Sequence, residues 1–485
     1  MNRKLVFIMV LPILVCMLSV ALNVETVKAS GTIYIRADGL VYPSDAPIHR
    51  DGNVYTLTGN VNDSIVVQRD NIEIDGAGLY IIEGPDDYAS IGINLTGRSN
   101  IIITKIKEIK AFGYGIFLNM SSNIVLSENT VTANKVRGIY LSESSNCSIT
   151  GNNITANWNY DIDLYYSSNN TICENIARRI GIHNDSSYNS IYRNQLSGSG
   201  LEAIVLLSSN NIIYENNITG NGIYGIHMDH SSNQRIYRNN ITDNGIYGIY
   251  MDSCSNNIIA GNNIENHTVG IFLDSCPENT IFHNNFVENE RNALILDSNI
   301  NLWDFGFPSG GNYWSNYTGF DSDDDGIGDS SHVLDAENQD NYPLMGPISF
   351  FNAGTWNEAT YYVETVSNST VSDFYFSVDN RLISFDVAGL NDTIGFCRVA
   401  IPKRLLWCEN ISDWTVRINN TLITFGVQEN GNYSYVFFTY AHSTKTVQIV
   451  GMHAIPEFPS FLILPLFMIA TLLAVIVYIK IRKKQ

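Results

Sequence analysis

The stretches NGIYGIHMD, Asn221 to Asp229, and NGIYGIYMD, Asn244 to Asp252, are one phrase written twice, with only His227 changed to Tyr250. The asparagine that follows a strand in phrases such as YRNN and AGNN, the first of the two, recurs at Asn129, Asn152, Asn175, Asn194, Asn216, Asn239, Asn262 and Asn284, at steps of 23, 23, 19, 22, 23, 23 and 22 residues. Such steps are too long for a heptad and too short for most helical repeats. Inside each step, alternating runs such as GIYMD and NNIT are broken by Asn, Gly and Ser, the chemistry of short strands and turns. The expectation is an all-β chain dominated by a right-handed parallel β-helix, whose coils stack at about 4.8 Å so that equivalent residues become neighbours.

On that scaffold the Asn series predicts an amide ladder at a turn. Ile116, Ile139, Ile162, Ile182, Ile204, Ile226, Ile249 and Ile271 predict one interior column, with Leu118, Leu141, Leu164, Leu206, Met228, Met251 and Leu273 two places on. The residue between them points outward: Phe117, Tyr140, Asp163, His183, Val205, His227, Tyr250, Phe272 and Ile295. Its rings, Phe117, Tyr140, His183, His227, Tyr250 and Phe272, make a candidate glycan-binding strip, although aromatics also suit strands for packing alone. The next outward place collects Asp185, Asp229, Asp252, Asp274 and Asp297, a candidate acidic ladder for a metal or catalytic pair, with local Asx turns as the plainer reading. Glu174, Arg193, Glu215 and Arg238 alternate in sign and need only pair between coils.

The ends read as addresses. Residues 1–30 carry Arg3 and Lys4 before an apolar run and small residues at Ala29 and Ser30, as a secretory signal does. Residues 461–479 are apolar enough for a transmembrane helix, and the basic tail 480–485 predicts a cytoplasmic C-terminus with the bulk of the chain outside. A net charge of -20 speaks against a nucleic-acid partner. Sixteen Asn-x-Ser/Thr sequons, Asn62, Asn316, Asn368 and Asn432 among them, suit an exported chain, while Asn153, Asn217 and Asn240 lie inside the repeat. Cys254 and Cys276 hold equivalent places in neighbouring coils, and Cys397 with Cys408 is the candidate disulfide.

Beyond the repeat, DSDDDGIGD sets Asp321, Asp323, Asp325 and Asp329 at the first, third, fifth and ninth places of an EF-hand-like loop, with Gly326 at the tight turn and Ile327 offering its carbonyl. Oxygens at alternate positions curl round a hard cation, so a structural Ca2+ is expected, although His332 stands where a glutamate usually closes the shell. Residues 348–452 alternate as seven or eight strands, which predicts a small β-sandwich of immunoglobulin-like type. The full division is a cap at 31–64, the β-helix at 65–300, a C-terminal cap at 301–347, the sandwich at 348–452 and a linker at 453–460.

SIVVQRDNIEIDGAG (Ser64 to Gly78), the SSNN coils and GGNYWSNYTGFDSDDDGIGD (Gly310 to Asp329) resemble the NosD-like branch of the CASH parallel β-helix repeat families over residues 31 to 345. PEFPS (Pro456 to Ser460), with the apolar run and basic tail, resembles the PEF-CTERM archaeal sorting signal, which implies cleavage and transfer to a lipid. The first resemblance implies carbohydrate binding or sugar hydrolysis, and for NosD itself copper delivery. His227, Met228 and His230 cluster in sequence, but Met228 is expected to be buried, which disfavours copper. The expected function is an extracellular, membrane-anchored protein binding glycans or building the cell surface, with polysaccharide lyase or glycoside hydrolase as the alternative. The NTD, DD, GHG and RIK elements of pectin hydrolases are not assembled, so no catalytic residue is assigned.

Overall fold

A computed structural model describes residues 31–455; the expected signal, PEF segment, transmembrane helix and basic tail lie outside them. Among the described residues no helix is long and apolar enough to cross a membrane. The described residues form two compact units, residues 31–279 with 288–300, and residues 280–287 with 301–455.

The first unit is a right-handed parallel β-solenoid. Its longest sheet has 13 strands, running from Val41–Tyr42 through Ile33–Ile35 and Ile65–Val67 to Arg291–Ile295. Ile33–Ile35 already pairs in parallel with Ile65–Val67, so the expected N-terminal cap contributes a winding of its own. A second sheet carries the NIT strands such as Asn217–Thr219 and Asn240–Thr242, and a third carries strands such as Ile212–Tyr214 and Arg235–Tyr237.

Isoleucine dominates the interior because a β-branched chain fits a pleated strand and stacks on its own copy one coil away. Ile204, Ile226 and Ile249 are in register and fully buried. Removing each such side chain from water contributes about 1.5–3 kcal/mol. Where the strands turn, the backbone breaks pairing and its amides need other partners. From Asn152 to Asn262 each turn asparagine accepts, on its side-chain oxygen, both the backbone N–H and the side-chain amide of the ladder asparagine one coil earlier: Asn194 N–H to Asn216 Oδ1 is 3.0 Å and Asn216 N–H to Asn239 Oδ1 is 3.0 Å. The residue just before each ladder asparagine sits in the left-handed region, at φ 54° for Glu215 and Arg238 and as glycine at Gly151 and Gly261. That conformation turns the chain between strands.

Three further inward ladders accompany this one, and sequence reading did not single them out. Asn170, Asn189, Asn211, Gln234, Asn257 and Asn279 form the second. Ser121, Ser144, Ser167 and Ser186 form the third, in which Cys254 and Cys276 take the serine place, the Cys254 N–H donating to Cys276 Sγ at 3.3 Å. Both thiols are free and buried. The fourth includes Asn221, Asn244, His267 and Asn289.

The interior register departs from expectation at the short coil. Ile162 pairs with Ile180, which pairs with Ile204, and Ile182 joins Leu164 and Leu206. At the last coil Ile271 pairs with Ala293 and Leu273 with Ile295. At the short coil the shift is two residues, which keeps a side chain on its face but moves it along the strand; at the last coil it is one residue, so Leu294 and not Ile295 stands beside Phe272, and Ile295 leaves the expected outward column for that of Leu273.

In the second unit two five-stranded antiparallel sheets enclose one core that includes Val363, Phe385, Val399, Val416, Val436 and Ile449. Cys397 is fully buried there and Cys408 is partly exposed, accepting the Met452 N–H at 3.3 Å. Both are free, which corrects the expected disulfide: one thiol faces the core and the other the rim.

Candidate functional site

The outer face of the 13-stranded sheet gathers the chemistry of the first unit. Phe117 and Tyr140 are in register and stack at 5.4 Å, and Tyr250 stacks on Phe272 at 4.6 Å with planes 5° apart. A second outward place adds rings beside them: Tyr114 lies 5.9 Å from Phe117, while Tyr224 stacks on Tyr247 at 5.3 Å and on His227 at 4.8 Å. The predicted strip is therefore two aromatic fields, with a polar centre between them.

His183 is not in the strip's column. Asp163 pairs with Gly181, which pairs with Val205, while His183 aligns with Tyr165 and Leu207, one outward place further on. Gly181 leaves the column position vacant, and the His183 ring folds over it; a Cβ at Gly181 would lie 2.4 Å from His183 Nε2 and 2.9 Å from Asp163 Oδ1. His183 Nε2 stands 3.2 Å from Asp163 Oδ1, the imidazole 4.8 Å from Tyr165 and edge-on to Tyr160 at 5.2 Å. Arg137 Nε binds the other oxygen of Asp163, and its guanidinium lies 4.4 Å over Tyr140.

Glu202 makes a second set. Arg179 reaches it at 2.6 Å while lying 4.1 Å over the Tyr160 ring, and His227 Nδ1 is 3.6 Å away. Burial raises the Glu202 carboxyl's affinity for a proton, but His227 and Arg179 outweigh it and hold the pKa below the usual range. Burial pushes the Tyr160 phenol up to about 12, keeping it protonated.

Asp163 is fully buried and His183 is 4% exposed. Yet Asp163 Oδ1, His183 Nε2, Arg179 Nε, Glu202 Oε2 and His227 Nδ1 lack an aligned hydrogen-bond partner, although they lie close to opposite charges. Buried polar atoms are seldom left so, and here five share one patch. Sequence reading named Asp163 only as a column member and missed Arg137, Tyr160, Tyr165, Arg179 and Glu202. The signal available was the phrase YDIDLY, Tyr160 to Tyr165, where the repeat replaces YGIYMD with two acids.

The acidic ladder is partly assembled. Asp229, Asp252 and Asp274 are in register. Asp185 lies in a turn at φ 56°, while His183 fills the column. Asp297 falls past Ile295, the partner of Leu273, and accepts the Asn299 N–H at 3.0 Å in a local turn. Those two are corrections with one cause: the 19-residue and 22-residue steps do not carry a 23-residue register. On the third sheet, Arg193 meets Glu215 at 2.9 Å and Arg238 meets Glu215 at 3.2 Å, the expected coil-to-coil pairing.

In the second unit, ligand oxygens of Asp321, Asp323 and Asp325 lie within 4.8 Å of one another. Asp321 accepts the Asp325 N–H at 3.1 Å and the Gly326 N–H at 2.7 Å, and Gly326 takes φ 87° at the turn. Burial, with the neighbouring carboxylates adding, pushes the Asp321 pKa up to about 6. Asp329 stands outside that group, accepting the Ser322 N–H at 2.9 Å, and Ile327 is buried with its N–H on Asp325 Oδ1. Asp325 is also held from the sandwich: Gln428 donates to its Oδ2 at 2.8 Å and Arg398 to its carbonyl at 2.8 Å.

A family profile described as periplasmic copper-binding protein (NosD) matches residues 45–203 and 178–319. No curated protein matches the chain. Among solved structures, the Dettilon tailspike protein (gp208) is 12% identical over 82% of this chain and 86% of its own, with a TM-score of 0.38. The Azotobacter vinelandii mannuronan C-5 epimerase AlgE6 A-module is 16% identical over 56% and 90%, with a TM-score of 0.37. DFA-IIIase from Arthrobacter chlorophenolicus A6 without its lid is 14% identical over 51% and 69%, with a TM-score of 0.35.

Proposed function

The chain belongs to the NosD family, and within it we propose a carbohydrate-binding protein of the cell surface, its ligand an extended glycan lying along the outer face of the 13-stranded sheet. One observation carries this reading: rings from successive coils stand in register on a single face, on both sides of a desolvated polar centre. Aromatic faces stack on the apolar faces of sugar rings, and fixed polar groups between them select orientation.

Copper, which the family's name suggests, does not fit these residues. That ion takes soft or imidazole ligands gathered at one point. Met228 and Met251 are fully buried inside the solenoid, His230 is turned to Asp229, and His227 is turned to Glu202.

The Asp321, Asp323 and Asp325 loop fits a hard cation by its oxygen donors, and a structural Ca2+ there is part of the proposal. So are export, display on the outer face of the membrane, and anchoring through residues 461–479. The test is retention of the full chain, in detergent, on columns bearing neutral and uronate polysaccharides. Retention that Tyr250→Ala and Phe272→Ala weaken supports the reading; no retention on any glycan overturns it.

A further inference from the structure

The polar centre is more than binding requires. A glycan held by stacking needs no buried carboxylate, yet Asp163 is buried between Arg137 and His183, and a glycine is kept at position 181 where a side chain would expel the imidazole. Arg137 gives its Nε to Asp163; among the described residues its two terminal nitrogens make no hydrogen bond, which leaves them able to receive a carboxylate in the bidentate way guanidinium groups do. Toward this end of the face the column next to Asp163 carries Asn119, Ser142, Tyr165 and His183, and its acids begin only at Asp229, so an anionic sugar meets arginine here and not the aspartate ladder.

Resting on the glycan reading, we propose that Arg137, Asp163, His183 and Tyr165 form a catalytic centre that removes the proton α to the carboxylate of a uronate residue in a polysaccharide. Arg137 binds that carboxylate and stabilises the charge that develops on it. His183 takes the C5 proton, and Asp163 beside its Nε2 stabilises the imidazolium that results. The electron pair left at C5 forms the C4=C5 double bond and breaks the C4–O bond. The departing glycosidic oxygen takes a proton from the Tyr165 phenol, whose ring stacks on His183. The imidazolium then returns its proton through solvent to the phenolate. No oxidant, metal or cofactor enters this balance. Should the C4–O bond hold, the same abstraction followed by proton return exchanges the C5 hydrogen with solvent.

The experiment incubates the full chain with polygalacturonate and with alginate in deuterated buffer, while column retention is measured in parallel. Unsaturated uronate ends seen by ultraviolet absorbance, or deuterium at C5 seen by mass spectrometry, are the expected results. Either falls by about 10²–10⁴-fold in His183→Ala and Asp163→Asn, far more than retention falls in the same variants. Gly181→Ala, which leaves every reacting group in the sequence, loses the same signal by displacing the ring. Retention without exchange or unsaturated ends overturns the catalytic centre and leaves the binding reading standing. New reducing ends without unsaturation overturn it in favour of hydrolysis. No retention at all overturns both.

Discussion

Gly181 and His267 are single residues whose meaning lies in what stands one coil away. A methyl group at 181 meets His183, Tyr160 and Asp163 within 3 Å. Gly181→Ala is therefore expected to cost about 1–3 kcal/mol of stability, as overpacking does, measured by thermal melting. His267 takes an asparagine's place in a buried ladder: its Nε2 accepts from the Asn244 amide at 3.2 Å, and its Nδ1 faces Asn289 Oδ1 at 3.0 Å. Burial lowers its pKa from 6.5 to about 4. Between those values the unfolded chain binds a proton that the folded chain refuses, so this contribution is fully present above pH 6.5 and is lost as pH falls toward 4. The loss reaches about 3 kcal/mol. Melting curves across that range should show it, and His267→Asn should remove that part of the acid sensitivity.

At the scale of the coil, the same letter has opposite worth on opposite faces. Asn216 holds the Asn194 N–H on its oxygen, and its amide donates to the Ile191 and Tyr214 carbonyls; Asn217, the next residue, is exposed. Asn216→Ala strands buried backbone groups and is expected to cost about 2–3 kcal/mol, whereas Asn217→Ala is expected to stay within about 0.5 kcal/mol. Denaturant unfolding of the pair distinguishes them. The Tyr250 and Phe272 stack behaves as one element of the glycan face. Tyr250→Ala should weaken retention by about three- to tenfold, as the loss of one aromatic contact does, and Phe272→Ala, whose ring is buried, should weaken it by removing the face on which Tyr250 stacks. The strands, their spacing and the first ladder were legible in the repeat because one period fixes which residues meet. The other ladders were less so, because Ser, Cys, Gln and His share those places and blur the signal.

At the scale of the second unit, the acidic loop is tied to the sandwich through Arg398, 2% exposed, and Gln428. That tie was invisible in the sequence, since Asp325 and Gln428 stand far apart along the chain and belong to no common motif. A Ca2+ bound to the folded loop alone should stabilise the unit by about 2.7 kcal/mol at a hundredfold excess over Kd. Calorimetry with Ca2+ and with a chelator measures it, and Asp321→Asn should abolish the difference. The loop's first, third and fifth places were readable because alternate oxygens make a local motif. Asp329 was not, because its Ser322 contact depends on how the loop closes.

The sequence by itself determined the solenoid, its interior isoleucines, the Asn129 to Asn262 ladder and the outward aromatics, because a repeat near 22 residues with strand alternation leaves each coil only its neighbours to pack against. Only the tertiary structure decided the register across the 19-residue coil, and with it the meeting of Asp163, His183 and Arg137. The reason is physical: side chains alternate with period two, so a slip of two residues leaves the hydrophobic pattern unchanged while exchanging every neighbour on the outer face.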